Sequence, residues 1–178
     1  MALKATIFKL DLQVDNIDLH YYQLHPLTIA RHPSENSARM LYRIIAFALN
    51  AHPELQFTKG ISSIDEPDLW RHSASGEIEQ WIELGQPDEK RLRRACGKAK
   101  QVVVYSYQQR NGEIWWQQLS TRTKESHHFT AYQLIISNDA PIEQIISRQI
   151  QLNCTIQDGA IWLTDGTTTL EVATQPFE

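Results

Sequence analysis

Between residues 3 and 14, apolar and polar side chains alternate. Phe8, Leu10, Leu12 and Val14 fall on one face, and Lys9, Asp11 and Gln13 on the other, the period-two signature of a half-buried strand. Asp15-Asn16 supplies a turn, and residues 20–30 read as a second strand carrying Tyr22, Leu24, Leu27 and Ile29, so the chain opens with an antiparallel hairpin. The period then lengthens. Met40, Leu41, Ile44, Ile45, Ala48 and Leu49 form a helical stripe, with Ser34 as the expected N-cap and Glu35 in the first turn. His52-Pro53 ends this helix, and Leu55-Gln56-Phe57-Thr58 begins another strand before Gly60.

The stretch 65–85, DEPDLWRHSASGEIEQWIELG, reads as a second hairpin turning at Ser75-Gly76. Alternation puts Ile78, Gln80, Ile82 and Leu84 on one face of its second strand and Glu79, Trp81, Glu83 and Gly85 on the other. Gln86-Pro87-Asp88-Glu89 opens a helix to about residue 100, with Leu92, Ala95, Cys96 and Ala99 as its buried stripe. The apolar strand Val102–Tyr107 follows, an order suited to a parallel crossover. Asn111-Gly112 predicts a tight turn, with 113–119 returning as a strand whose Trp115 and Trp116 face opposite sides. Residues 127–136 read as strand, 141–148 as a short helix, and the remainder as β structure punctuated by Asp158-Gly159 and Asp165-Gly166. The expected fold is α+β in a single domain, 1–178. It has a central mixed sheet, flanking helices, and an extra β layer from the N- and C-terminal strands.

Composition narrows the class without naming a function. At 42% hydrophobic and 21% charged, the chain is that of an ordinary globular protein. No apolar run approaches the ~20 residues that span a bilayer, and the N-terminus has no signal-peptide pattern; a cytoplasmic location is the expectation. The two cysteines read as small core residues. A net charge of −4 argues against a general nucleic-acid coat but not against a local basic stripe. The histidines and cysteines show no zinc spacing, and Walker, dinucleotide and GxSxG motifs are absent.

What remains is the acidic hairpin. Asp65, Glu66 and Asp68 precede its first strand and Glu83 lies late in its second. Carboxylates brought together from separate segments by a sheet are what hard divalent cations require. The plainer reading is a solvated acidic loop beside a half-exposed strand.

Beyond these residues, MALKATI (1–7), ARHPSE (30–35), LQFTKG (55–60), DEP (65–67), WIELGQPDEKR (81–91), IWWQQ (114–118) and TIQDGAIWL (155–163) together resemble the YaeQ family of small bacterial proteins. The resemblance implies a rearranged PD-(D/E)xK restriction-endonuclease-like core. Pro67-Asp68 matches the first half of that motif, with Asp65 or Glu66 as substitutes, and Glu83 matches the second acid. The motif's lysine is replaced by Gly85, so Gln86, Lys90, Lys98 or Lys100 must stand in for it if there is chemistry. Glu35 is a secondary metal ligand in this reading.

Two functions follow. One is a magnesium- or manganese-dependent nuclease in which Asp68 and Glu83 hold the metal and Gln86 or Lys90 attends the phosphate. The other is a catalytically inactive scaffold that binds protein or nucleic acid. Acids neutralised by Arg39 or Arg43 mark the second.

Overall fold

The computed structural model describes residues 4–60 and 63–178. The first three residues of the MALKATI phrase, and Leu3 of the first expected strand, lie outside the described residues. Strands β1 (Thr6–Asn16) and β2 (Tyr21–Arg31) form the opening hairpin, followed by α1 (Ser37–Leu49) and β3 (Leu55–Phe57). The acidic hairpin is β4 (Leu69–His72) and β5 (Ile78–Leu84). Then come α2 (Glu89–Lys98), β6 (Ala99–Ser106), α3 (Gln109–Gln118), α4 (Thr121–Lys124) and β7 (Phe129–Ile136). The chain finishes with α5 (Ile142–Ile145), β8 (Gln149–Gln157), β9 (Ala160–Thr164) and β10 (Thr169–Pro176). No helix among the described residues is long and apolar enough to cross a membrane.

Among the described residues the ten strands form one mixed sheet, ordered β2-β1-β8-β9-β10-β7-β6-β5-β4-β3. The terminal strands are therefore continuous with the central ones and make no separate layer. Parallel pairing of β1 with β8 joins the opening hairpin directly to the C-terminal strands, a long-range pairing that alternation within each strand does not encode. All ten strands send side chains into one core around α1, with Phe8, Ile29, Leu69, Ile82, Val103, Leu134, Leu152, Leu163 and Leu170 among its members. A sheet this wide can serve one helix only by curling round it. On the outer side, α2, α3 and α4 cover β5, β6 and β7 through a second cluster that includes Trp81, Leu92, Ala95, Val102, Trp115 and Phe129.

The expected crossover is present: α2 connects β5 to its parallel neighbour β6. Three local expectations give way to stronger constraints. Asn36, not Ser34, caps α1 by accepting from the Arg39 N–H at 2.8 Å, because the Ser34 hydroxyl is held by His32 Nδ1 at 2.6 Å. Glu35 therefore precedes the helix and is buried. In β5, a bulge opposite Arg71/His72 leaves Glu79 unpaired, which shifts Ile78 into the outer cluster beside Trp81.

The third correction concerns Asn111-Gly112, which lies inside α3 and makes no hairpin. Gly112 N–H donates to Gln108 O at 2.7 Å as an ordinary helical bond. Trp115 and Trp116 follow on the same helix and both pack on the outer cluster. Glycine is needed for close approach: a Cβ there would meet Ser106 Oγ at 2.5 Å and Gln133 Oε1 at 2.6 Å. Gly112→Ala should therefore destabilise the fold by about 1–3 kcal/mol through overpacking, despite alanine's better helix propensity. Urea denaturation of the two proteins checks this; a neutral or stabilising substitution would contradict the contact.

Candidate functional site

The N-terminal end of α1, the entry to β4 and the end of β5 converge on one charged cluster. Arg39 and Arg43 are one helical turn apart on α1, and Glu35 lies another four residues back. Arg39 Nη1 donates to Glu35 Oε1 at 2.9 Å, and Arg43 Nη1 to Glu35 Oε2 at 3.1 Å. Asp68, 3% exposed, receives Arg39 Nη2, which lies 2.9 Å from Oδ1 and 3.1 Å from Oδ2 with its N–H directed at the latter. The same Oδ2 accepts the Leu84 backbone N–H at 2.8 Å, fixing Asp68 to the end of β5. Arg43 Nε stands 3.9 Å from Asp68 Oδ1, and neither atom makes a hydrogen bond.

Glu83 points to the outer face, as alternation requires. Its Oε1 accepts from Arg91 Nε at 2.6 Å and from the Trp81 indole at 2.8 Å. Arg91 also donates to Ile64 O and Glu66 O, so it clamps the 63–67 loop over α2. Burial pushes the Glu83 carboxyl above its ordinary value; Arg91 opposes the shift and nearby Asp68 adds to it. Burial alone would lower Arg39, but Asp68 and Glu35 more than offset it and hold it above its ordinary value. Arg43 is pushed down by burial despite Glu35 and Asp68, and as an arginine it keeps its charge.

Asp68, Glu83 and Gln86 line a single cleft of about 220 Å³ together with Arg39, Gly60, Pro67 and Arg91. Gln86 Nε2 is anchored to Ser106 Oγ at 2.7 Å. Other candidates lie elsewhere. Asp65 is exposed and paired with Arg94 at 3.2 Å, and Glu66 contributes its carbonyl to Arg91. Lys90, Lys98 and Lys100 are exposed and do not line the cleft. On α2 the side that reaches the cleft is carried by Arg91, one residue round from Lys90. Gly85, in the lysine position of the nuclease motif, has φ +92°. The chain turns there through a region that L side chains rarely adopt, so a lysine would be strained.

The carboxylates that match a metal motif are thus committed to arginines. Glu35, Asp68 and Glu83 face Arg39, Arg43 and Arg91, three charges against three. Among the described residues no three His, Cys, Asp or Glu side chains are grouped to hold an ion. A divalent cation would meet a neutral cluster instead of the anionic oxygen cage it needs. The arrangement as it stands does not fit a metal.

A sequence model described as "YaeQ protein" matches residues 1–174. The chain belongs to the YaeQ family. Among its bacterial relatives, the YaeQ proteins of Salmonella typhi and Escherichia coli K12 are 41% and 40% identical over 172 residues, covering 97% of this chain and 95% of theirs. The crystal structure of YaeQ from Xanthomonas axonopodis pv. citri superposes with a TM-score of 0.90 at 34% identity, covering 98% of both chains. That from Pseudomonas syringae gives 0.86 at 28% identity, covering 98% of this chain and 96% of the other.

Of the residues the sequence singles out, Asp68, Glu83 and Gln86 share the cleft; Arg91, the partner of Glu83, is not among them. Its position three residues after the N-cap Asp88 was the available signal, since a first-turn side chain there reaches back toward the strand that precedes the helix.

Two measurements test this electrostatic reading. Arg43→Met, which leaves Glu35 buried with one partner fewer, should cost about 3–5 kcal/mol in urea denaturation; a loss below about 1 kcal/mol would show that the pair is not buried as described. Glu83, with a folded pKa above its unfolded value near 4.5, contributes stability below that value and loses it as pH rises through the folded pKa. Relative to Glu83→Gln, the wild type should therefore become less stable as pH rises above about 4.5; a difference that stays constant with pH would contradict the upward shift.

Proposed function

We propose that this chain is a non-cleaving, nuclease-like scaffold that binds nucleic acid, in one domain of a cytoplasmic protein. The observation that carries the reading is the pairing of each cleft acid with an arginine. In this reading β4, β5, α2 and β6 correspond to the nuclease core. Arg39 and Arg91 fill the place of a catalytic cation, and Gly85 excludes the motif lysine by its backbone conformation. Binding energy then comes from the exposed side of α2. Lys90, Arg93 and Lys98 are exposed there and make no hydrogen bond or ion pair among the described residues, as suits a surface that meets phosphates.

The rival reading is a magnesium- or manganese-dependent nuclease, favoured by the shared cleft of Asp68, Glu83 and Gln86. It requires the arginines to swing away from both acids.

Fluorescence anisotropy with single- and double-stranded DNA and RNA separates the two. Three phosphate contacts predict that duplex affinity falls roughly fortyfold between about 50 and about 200 mM salt. The triple variant Lys90→Gln/Arg93→Gln/Lys98→Gln should flatten that dependence, and no strand should be cut in magnesium or manganese. Metal-dependent cleavage that disappears in Glu83→Ala would replace this reading with the nuclease. Absence of any nucleic-acid binding would sink it and leave a protein partner.

A further inference from the structure

A second polar cleft, of about 400 Å³, lies at the opposite end of α1 from the charged cluster. One wall is a cross-strand row on the inner face of the sheet: Arg71 on β4 is opposite Gln80 on β5, and Gln80 is opposite Gln101 on β6. Gln80 Nε2 donates to Asn50 Oδ1 at 2.8 Å and more weakly to Gln101 Oε1 at 3.4 Å. Asn50, at the end of α1, spends its own N–H groups on Ala46 O and Tyr105 OH, both at 2.8 Å. The row is therefore stiff. The facing wall comes from the β1–β2 hairpin through Asn16, Leu19 and Tyr21, and His52 closes one side.

The charge pattern here is the reverse of the first cleft. Arg39, Arg43 and Arg91 all have carboxylate partners. Arg71 makes no hydrogen bond or ion pair among the described residues, and its Nε is buried with no acceptor. The cleft is lined by Arg71 and His52 and by no carboxylate. The acids whose charge reaches these two groups stand outside it: Glu79, which Lys100 holds at 2.7 Å, and Glu54 beside His52. The neighbouring positive charge of Arg71, after burial, disfavours a proton on His52. The Arg71 Nε itself is closed to any ligand, so an anion in the cleft would meet the outer N–H groups of this half-buried side chain and answer its charge. Beside it, the Gln101 amide N–H₂ and the Gln80 amide oxygen make no further bond among the described residues, leaving a donor and an acceptor side by side.

We infer that this cleft binds a small phosphorylated polyol. Its phosphoryl group sits on Arg71 and His52, and its hydroxyls on the Gln80–Gln101 amides. The Arg71 fork with the imidazole offers three donors to a group with three acceptor oxygens, which a carboxylate cannot fully use. The cleft volume suits a metabolite of sugar-phosphate size. This site is independent of the nucleic-acid reading, since none of its residues lies on α2 or in the first cleft.

Calorimetric titration with ribose 5-phosphate, inorganic phosphate and ribose tests it. Ribose 5-phosphate should bind with one-to-one stoichiometry and more tightly than inorganic phosphate, and ribose should not bind. Arg71→Gln should weaken ribose 5-phosphate about tenfold or more, and His52→Gln, in a half-exposed loop residue, should weaken it in the same direction. The α2 triple variant should bind as wild type. Absence of saturable ribose 5-phosphate binding, equal affinity in folded Arg71→Gln and wild type, or loss in the α2 variant would each overturn the assignment.

Discussion

The fold depends on a buried arginine. Arg43 has no exposed surface, yet its guanidinium touches three separate segments. It donates to Ala30 O at the end of β2, to Glu35 ahead of α1, and to Thr58 O after β3. It also lies over the Phe57 ring at 5.5 Å and against Gly60, where a Cβ would come within 3.4 Å. The curled sheet brings β2 and β3, its two edge strands, to the same end of α1, and Arg43 bridges them. Its N–H groups thereby serve backbone carbonyls near the ends of both strands. Such an ion pair adds little net stability over an apolar replacement, but removing one partner is expensive. The arrangement therefore fixes geometry more than it adds free energy.

That geometry determines what the first cleft can do. Glu35 orients Arg39, Arg39 holds Asp68, and Asp68 is tied to Leu84 at the end of β5, from which the chain turns through Gly85 into the cleft. Opening Asp68 to a cation means unpairing Arg39 and leaving a buried charge unmatched. Glu83 is locked in the same manner from the outer face by Arg91 and Trp81. Two carboxylates placed as in a metal nuclease thus serve as counter-ions. Their partners come from α1 and α2, the helices that flank the β4–β5 hairpin in sequence.

The strands and principal helices were legible because their signals are local. Alternation gave β1, β2 and β5, and the 3.6-residue stripe gave α1 and α2. The crossover from β5 to β6 followed from their order. What could not be read is set by distant contacts. The β1–β8 pairing merges the expected extra layer into the main sheet. Gly112 looked like a turn glycine because the steric reason for it, Ser106 and Gln133, comes from two other strands. At the site, spacing exposed Asp68 and Glu83, and it offered Arg39 and Arg43 as rivals for the acids. It did not say which acids they would meet; the structure gives Asp68 and Glu35. Acidic residues in a loop are indistinguishable by sequence until one of them is seen to be buried.

The two ends of α1 carry opposite solutions to one electrostatic problem. A helix favours anions at its start and cations at its end. Glu35 and Asp68 gather at the start, and Arg71 with His52 at the end. At the start each anion is answered by an arginine, so the field is spent on internal pairing. At the end the helix contributes about 0.3–2 kcal/mol to a nearby cation, and the buried Arg71 Nε has no acceptor there. The dipole accounts for a cation being tolerated there, but not for its lacking a partner. Of the two clefts, the one without a recognisable motif is therefore the one that retains unspent binding capacity.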